Sequence, residues 1–470
     1  MKKTIKLSLV AALACVGLST AHAATALEEA IKDVKIDGNL RYRFSSGEWK
    51  DGDNYKSIDG HSNITGKQVH NVRVRLGALV QLGYGLNFYG QLQHLSSDRS
   101  FPQNSGYNGN NGQTNTSTPF NLRQAYLGYN YEDLELKLGR QGLTTIWDDG
   151  MVAMGALASY SGLEGTKLSV FGLDNFENDG DRVFGNNGKG GIGSILGATP
   201  ANGRVGNTRL KTDAIGNTEA SDFLFRQNFL GASMVGSYDL GFASLKPQIW
   251  LGYLDNRALF YVLDVRYKMP IIEGLDWGFQ FDYLGNSIDS FTKDRFASWD
   301  ANGQKIKDNL DNGNLINFSG TIEAYGFDAK LGFVTYGKEK VFTINTLEED
   351  GKLGMPGRQI KYLQGSNYTN SFGKNTFAYT NIGYTFNDFR AGIQVVIGGT
   401  KTGLGNQDAA KIGGGQKNEY VVDLTYKLGK KLDFLLWYSM LDYNAKDGTA
   451  SKPDTKGKKN TARFQALYKF

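Results

Sequence analysis

The 470-residue chain holds one cysteine, 7 prolines and 4 histidines, and no apolar run long enough to cross a bilayer as a helix. The cysteine, Cys15, lies in a segment with the marks of a secretory signal. Lys2, Lys3 and Lys6 precede the apolar stretch from Leu7 to Leu18, and Ala21-His22-Ala23 offers a small-residue cleavage site. Cys15 after Ala12-Leu13-Ala14 would suit a lipoprotein signal, but the usual leading leucine is missing and a complete A-x-A site lies downstream. With residues 1–23 removed the mature chain starts at Ala24 and carries no thiol, which excludes disulfides, thiolate nucleophiles and cysteine-ligated metals.

An excess of one charge is also lacking. There are 52 Lys and Arg against 47 Asp and Glu, and losing the three signal lysines leaves a mature balance of +2. That balance gives no argument for nucleic acid as a partner. Scarce proline without a regular glycine repeat excludes collagen, and 25 Tyr with 27 Phe speak against disorder. What remains is a chain of 61 glycines and many aromatics in short segments, a composition of strands and turns. Its mean hydropathy is below zero. That does not exclude a membrane barrel, where only alternate residues meet lipid.

Alternation is the strongest signal. Ala462, Phe464, Ala466, Tyr468 and Phe470 interleave with Thr461, Arg463, Gln465, Leu467 and Lys469. Tyr420, Val422, Leu424 and Tyr426 interleave with Val421, Asp423, Thr425 and Lys427. Successive strand side chains point to opposite faces, so each such segment has one apolar and one polar face. The pattern predicts strands over 35–45, 69–81, 84–95, 121–131, 133–141, 150–160, 165–173, 223–237, 241–252, 256–268, 272–284, 314–324, 326–336, 375–386, 388–399, 417–428, 431–443 and 460–470.

Eighteen strands make an even count, as a bacterial barrel requires. Connections after even strands are brief, and the long ones (46–68, 96–120, 174–222, 285–313, 337–374, 400–416 and 444–459) all follow odd strands. The Gly- and Ala-rich strand at 150–160 is needed for this, since without it 174–222 would fall among the short turns. The fold expected is therefore an all-β transmembrane antiparallel barrel spanning residues 24–470, with short periplasmic turns and long extracellular loops. Strands begin too soon after Ala24 for an N-terminal plug domain. Pro247 is a misfit inside its strand and suits a bulge or a place where its missing N–H matters least.

Several strings resemble one family. Leu27-Glu28-Glu29-Ala30-Ile31-Lys32-Asp33-Val34 with Leu40-Arg41-Tyr42-Arg43, Tyr283 to Ser290, Gly398-Gly399-Thr400-Lys401-Thr402 and the ending Leu467-Tyr468-Lys469-Phe470 are similar to the major outer membrane protein porins of Campylobacter and relatives. The resemblance covers essentially the whole chain. It implies an 18-stranded, trimeric, general diffusion porin of modest cation preference, with calcium in the channel.

Catalytic chemistry finds no constellation. His61, His70 and His94 have neither a nucleophile elbow nor metal-ligand spacing near them, so solvated or rim positions suit them. Gly399-Thr400-Lys401-Thr402 lacks the glycine before lysine and the helix of a phosphate-binding loop. The useful pattern is electrostatic. Arg41, Arg43, Arg73 and Arg75 alternate with apolar neighbours on adjacent strands, and Arg463 joins them if the last strand closes on the first. A cation facing lipid at midplane costs about 2–4 kcal/mol, so these five are expected inside as a basic wall. Asp264, Asp282, Glu323 and Asp423 are expected inside as an opposing acidic wall, the two walls either setting a transverse field or merely solvating a wide lumen.

The 174–222 segment is long enough to fold inward as a constriction. Asp174, Glu177, Asp179 and Asp181 there could bind calcium through oxygen ligands or simply face water. Ala153 and Met154 stand where the family can place a further acid after Ile146-Trp147. Tyr42, Phe44, Trp277, Phe279, Phe281, Tyr438, Tyr468 and Phe470 suit aromatic girdles, and Phe470 also resembles the terminal assembly signal of outer-membrane proteins.

The expected function is passive diffusion of small hydrophilic solutes and ions, with no required cofactor. The expected partners are two further copies of the chain, outer-membrane lipid and lipopolysaccharide. A substrate-selective channel and a surface adhesin are the rivals.

Overall fold

Strand alternation of the kind read above becomes one closed sheet in the computed structural model, which describes residues 34–51, 67–100, 120–177, 204–205, 208–209, 228–299, 305–348, 350–363, 365–404, 413–445 and 455–470. The wall consists of β1 (Lys35–Asp51), β2 (Lys67–Gly83), β3 (Leu86–Ser100), β4 (Asn121–Tyr131), β5 (Leu134–Gly142), β6 (Val152–Leu163), β7 (Thr166–Glu177), β8 (Phe229–Gly236), β9 (Ser244–Leu254), β10 (Ala258–Ile272), β11 (Leu275–Ile288), β12 (Asn314–Ala324), β13 (Phe327–Tyr336), β14 (Lys374–Phe386), β15 (Phe389–Lys401), β16 (Gly415–Leu428), β17 (Leu432–Ala445) and β18 (Thr455–Lys469). Each strand pairs antiparallel with the next, and β1 closes the circle. Leu40 stands opposite Val74 on β2 and Tyr468 on β18. Closure leaves no unpaired strand edge to lie in hydrocarbon.

The short turns show how the sequence reverses direction so tightly. Tyr84-Gly85, Glu132-Asp133, Tyr325-Gly326 and Asn387-Asp388 each link two strands. The first residue of each pair holds a φ of 50–52°, the left-handed value that two-residue hairpins need. Glycine supplies the same region at Gly165 and Gly274. Pro247 sits where β8 breaks off at Gly236 and resumes as Tyr238–Asp239, so the ladder lacks a bond where proline lacks a donor.

Several strands outrun their expected ends. β1 reaches Asp51 rather than residue 45, and β3 reaches Ser100 rather than 95. Above the bilayer both faces are wet, so alternation fades while backbone pairing continues. Strand eight starts at Phe229 among the described residues, later than the expected 223.

Exposure is inverted relative to a water-soluble protein. Leu40, Tyr42, Val72, Phe318, Leu331 and Ile393 on the outer face are exposed, whereas Arg41, Arg73 and Asp423 are buried. The hydrophobic core lies inside the barrel. The inner faces of β7–β15 carry Phe171, Phe229, Trp250, Phe260, Val262, Leu284, Leu315, Val334, Phe377 and Val396, all buried. Covering them are two inward-folded segments, residues 143–151 and 337–373. These contribute Leu143, Ile146, Trp147, Met151, Ile344, Leu347, Leu353, Met355, Ile360, Leu363 and Tyr368 to the same cluster. The longer segment carries short secondary structure of its own. Phe342–Thr343, Asn370–Phe372 and Ser366–Asn367 make a three-stranded sheet, and Ile360–Tyr362 form a 3₁₀ turn.

The inward role expected of 174–222 cannot be compared directly, because most of that segment lies outside the described residues. Among them, the segments that fold into the lumen are 143–151 and 337–373.

Candidate functional site

The arginines expected inside share one stretch of inner wall. Arg41 faces Arg73 across β1 and β2; Arg43 lies beside Asn71 and Gln465; Arg75 faces Asn39 and Gln93. Arg463 lies in a row with Ser45 and Trp437. Neutral side chains orient the guanidinium groups. Arg41 Nη2 donates to Asn71 Oδ1 at 2.8 Å, Arg43 Nε to Gln465 Oε1 at 3.0 Å, and Arg75 Nε to Gln93 Oε1 at 2.6 Å. Arg463 Nε reaches Ser45 Oγ at 3.3 Å. Amide and hydroxyl acceptors fix the plane of a guanidinium at the wall.

The four acids do not form a wall facing these cations. Asp264 and Asp282 stand opposite each other on β10 and β11, fully buried beneath the inner segment. Asp282 accepts from Gln280 Nε2 at 2.9 Å and Asn317 Nδ2 at 2.6 Å, and Asp264 from Arg266 Nε at 3.3 Å. Gln280 also donates to the Leu353 carbonyl, and Arg266 to that of Lys352, so the segment lies directly over the pair. Glu323 is bound to Lys268 at 2.7 Å near the short-turn end. Asp423 lies in the same lateral row as Arg463, on the basic side, and is bound to Arg390 at 2.9 Å. Alternation assigned all four inward. It could not reveal that two are covered and two already paired.

Of the residues offered for calcium, Asp174 lies on β7 opposite Met154, on the face away from Phe171 and Leu173. The Glu177 side chain, Asp179 and Asp181 fall outside the described residues. Among the described residues no group of three or more His, Cys, Asp or Glu is placed to hold a metal ion. His70 is on the outer face, its Nδ1 2.7 Å from Tyr42 Oη. His94 packs against Phe120, and His61 is outside the described residues.

The segments that narrow the lumen are built from residues that the sequence reading passed over. Trp147 is fully buried, edge-on to Phe229, Trp250 and Phe260 with ring centroids 5.9–6.2 Å apart. Its carbonyl accepts from the N–H groups of Leu347 at 2.9 Å and Glu348 at 3.1 Å, and Lys352 N–H donates to Ile146 O at 3.0 Å. The two inward segments therefore interlock. Asp148, fully buried, accepts from Thr145 Oγ1 at 2.7 Å and Gly150 N–H at 3.1 Å. Burial pushes its carboxyl up to about 6, despite those donors and nearby Lys352.

On the far side the longer segment is clamped to β16–β18. Glu419, buried, accepts from the N–H groups of Arg358 and Gln359 at 2.8 Å, of Ile360 at 3.0 Å, and from Ser439 Oγ at 2.6 Å. Gln359 Nε2 donates to Ser439 Oγ at 2.8 Å and Lys459 O at 3.2 Å, and its Oε1 accepts from Thr461 at 3.0 Å. Gly357, at φ +90°, allows the approach: a Cβ there would stand 2.7 Å from Glu419 Oε2. Buried Lys417 adds bonds of 2.9 Å to Ser366 and Thr400. The usable sequence signal was the apolar content of 337–373, with Ile344, Leu347, Leu353, Met355, Ile360 and Leu363 in what looked like an outer loop.

The model of the Campylobacter major outer membrane protein family matches residues 1–470. The chain belongs to that family. Among solved structures, Pseudomonas aeruginosa OpdK with vanillate superposes with a TM-score of 0.60 at 12% identity, covering 93% of this chain and 99% of that one. Acinetobacter baumannii OccAB3 gives 0.58 at 12% identity over 93% and 100%. Pseudomonas aeruginosa OpdL gives 0.56 at 14% over 93% and 99%. At such identities the likeness is one of fold. No curated protein matches the chain. This member of the major outer membrane protein family is an outer-membrane porin, and its barrel crosses that membrane many times.

Proposed function

We propose that this porin is a passive, non-enzymatic, water-filled channel for small hydrophilic solutes and ions, which pass between the inner segment and the arginine wall. The carrying observation is the division of the interior. Its apolar wall is sealed by the two inward segments, while the wall of β1–β3 and β18 is lined by arginines held by Asn, Gln and Ser. Aqueous solutes need such a polar lining, and the segment anchored on both sides sets the size limit. The reading includes a homotrimer in a membrane bearing lipopolysaccharide, reached after removal of residues 1–23.

Purified protein in a planar bilayer is expected to give discrete conductance steps, in triplets if it is a trimer, with current linear in voltage. Protein inserted without steps would end the channel reading and favour a surface adhesin. Recording with and without a calcium chelator tests the calcium expectation for Asp174, Glu177, Asp179 and Asp181.

A further inference from the structure

One lateral row of the inner wall crosses β11–β16 near the short-turn end. Asp276 stands opposite Glu323, Glu323 opposite Asp328, and Asp328 opposite Gly383. The row continues through Gly392 to Asp423. It thus holds four carboxylates, with two glycines separating the last two. Two cations bridge it. Lys268 reaches Asp276 at 2.9 Å and Glu323 at 2.7 Å. Arg390 spans the glycine gap: Nε and Nη2 donate to the two oxygens of Asp328 at 2.9 and 2.7 Å, and Nη1 donates to Asp423 Oδ2 at 2.9 Å. Asn381 Oδ1 accepts from Nη2 at 3.2 Å.

The glycines make this bridge possible. A Cβ on Gly383 would collide with the Arg390 guanidinium, and one on Gly392 would stand 2.6 Å from Nη1. The bare lane lets the planar group lie flat on the wall, fork to fork with Asp328. Its side chain is 23% exposed there, against 45% for Lys268, so water screens its pairs less. Four residues farther along β15, Gln394 accepts the Gly357 N–H of the inner segment at 2.9 Å. That is about 13 Å of strand, which puts the bridge at the short-turn edge of the narrowed stretch.

We propose that Arg390 sets the ion selectivity of this mouth by masking Asp328 and Asp423 from passing cations, a reading that rests on the channel proposed above. From Asp276 to Asp423 the row has two more carboxylates than bridging cations. Fixed charges at the mouth of a pore gather counter-ions and exclude ions of their own sign. Loss of Arg390 makes the excess three and leaves both of its partners facing the path of ions. One unit charge about 6 Å from that path, in water, changes the local concentration of a monovalent ion roughly threefold.

The test is the reversal potential of the full protein in a planar bilayer with asymmetric KCl at neutral pH. Arg390→Gln should raise the permeability of potassium relative to chloride about threefold. Asp328→Asn should lower it, and the double variant, which loses one charge of each sign, should return it close to wild type. Arg390→Lys keeps the charge without the fork and should also stay close to wild type. Retained heat-modifiable mobility on gels shows that each variant is folded. If Arg390→Gln does not fold, Asp328→Asn alone decides. A ratio unmoved by folded Arg390→Gln or by Asp328→Asn, or raised as much by Arg390→Lys as by Arg390→Gln, would overturn the role of Arg390. A wild type with no conductance would instead overturn the channel reading beneath it.

Discussion

The Glu419 carboxylate accepts the Gln359 backbone N–H at 2.8 Å, between like bonds from Arg358 and Ile360, so a strand of the wall caps a turn of the segment it encloses. Hydrogen bonds to an ionised group are worth roughly 1.5–3 kcal/mol each, more than a neutral contact. Glu419→Ala removes this cap. We expect the barrel to stay folded on gels while the channel becomes noisier and its mean conductance rises. A quiet, wild-type channel would show that the clamp does not hold the segment.

Gly357→Ala should act on the same contact from the other side. Its φ of +90° strains any L-residue, and the new methyl would meet Glu419. Because both changes break one interaction, the double variant should be little worse than either alone, as measured by conductance noise and thermal unfolding.

Trp147→Ala empties the centre of the inner core. Large-to-small changes of this kind cost roughly 3–5 kcal/mol. The variant should unfold in detergent at a lower temperature and its inner segments should become sensitive to protease. An unchanged melting curve would mean that the core inside the barrel adds little stability.

The strand count and the polar or apolar face of most strands were legible in the sequence, because period two survives wherever one face meets lipid. The inner core was not. Phe260, Val262 and Trp250 point inward, yet β9 and β10 also bear Ile249, Leu251, Leu259 and Leu263 outside, so those stretches read as apolar without saying what covers them. Nor does alternation distinguish open lumen from wall beneath a folded segment, which is why Asp264 and Asp282 were assigned to a water-facing acidic wall. The arginines were easier, since their lipid-facing alternative is so costly.

Asp148 gives a pH dependence. Its folded value of about 6 lies above the ordinary carboxylate value of 3.8, so the folded protein binds this proton more tightly than the unfolded chain. The resulting stability is full below pH 3.8 and is lost as pH rises through about 6. Asp148→Asn should abolish that loss, worth roughly 3 kcal/mol. Relative to wild type, its melting temperature should be higher at pH 8 than at pH 4. A constant offset between the two proteins would refute the assignment.

Chain order splits the contacts of the inner segment into two groups. The apolar wall that it covers is drawn largely from β7–β13, which precede it, while the Glu419 clamp and its partners Ser439 and Thr461 lie on β16–β18, which follow. The last strand must also meet the first for the cylinder to shut. A barrel lacking its final strands would therefore carry an unlatched core.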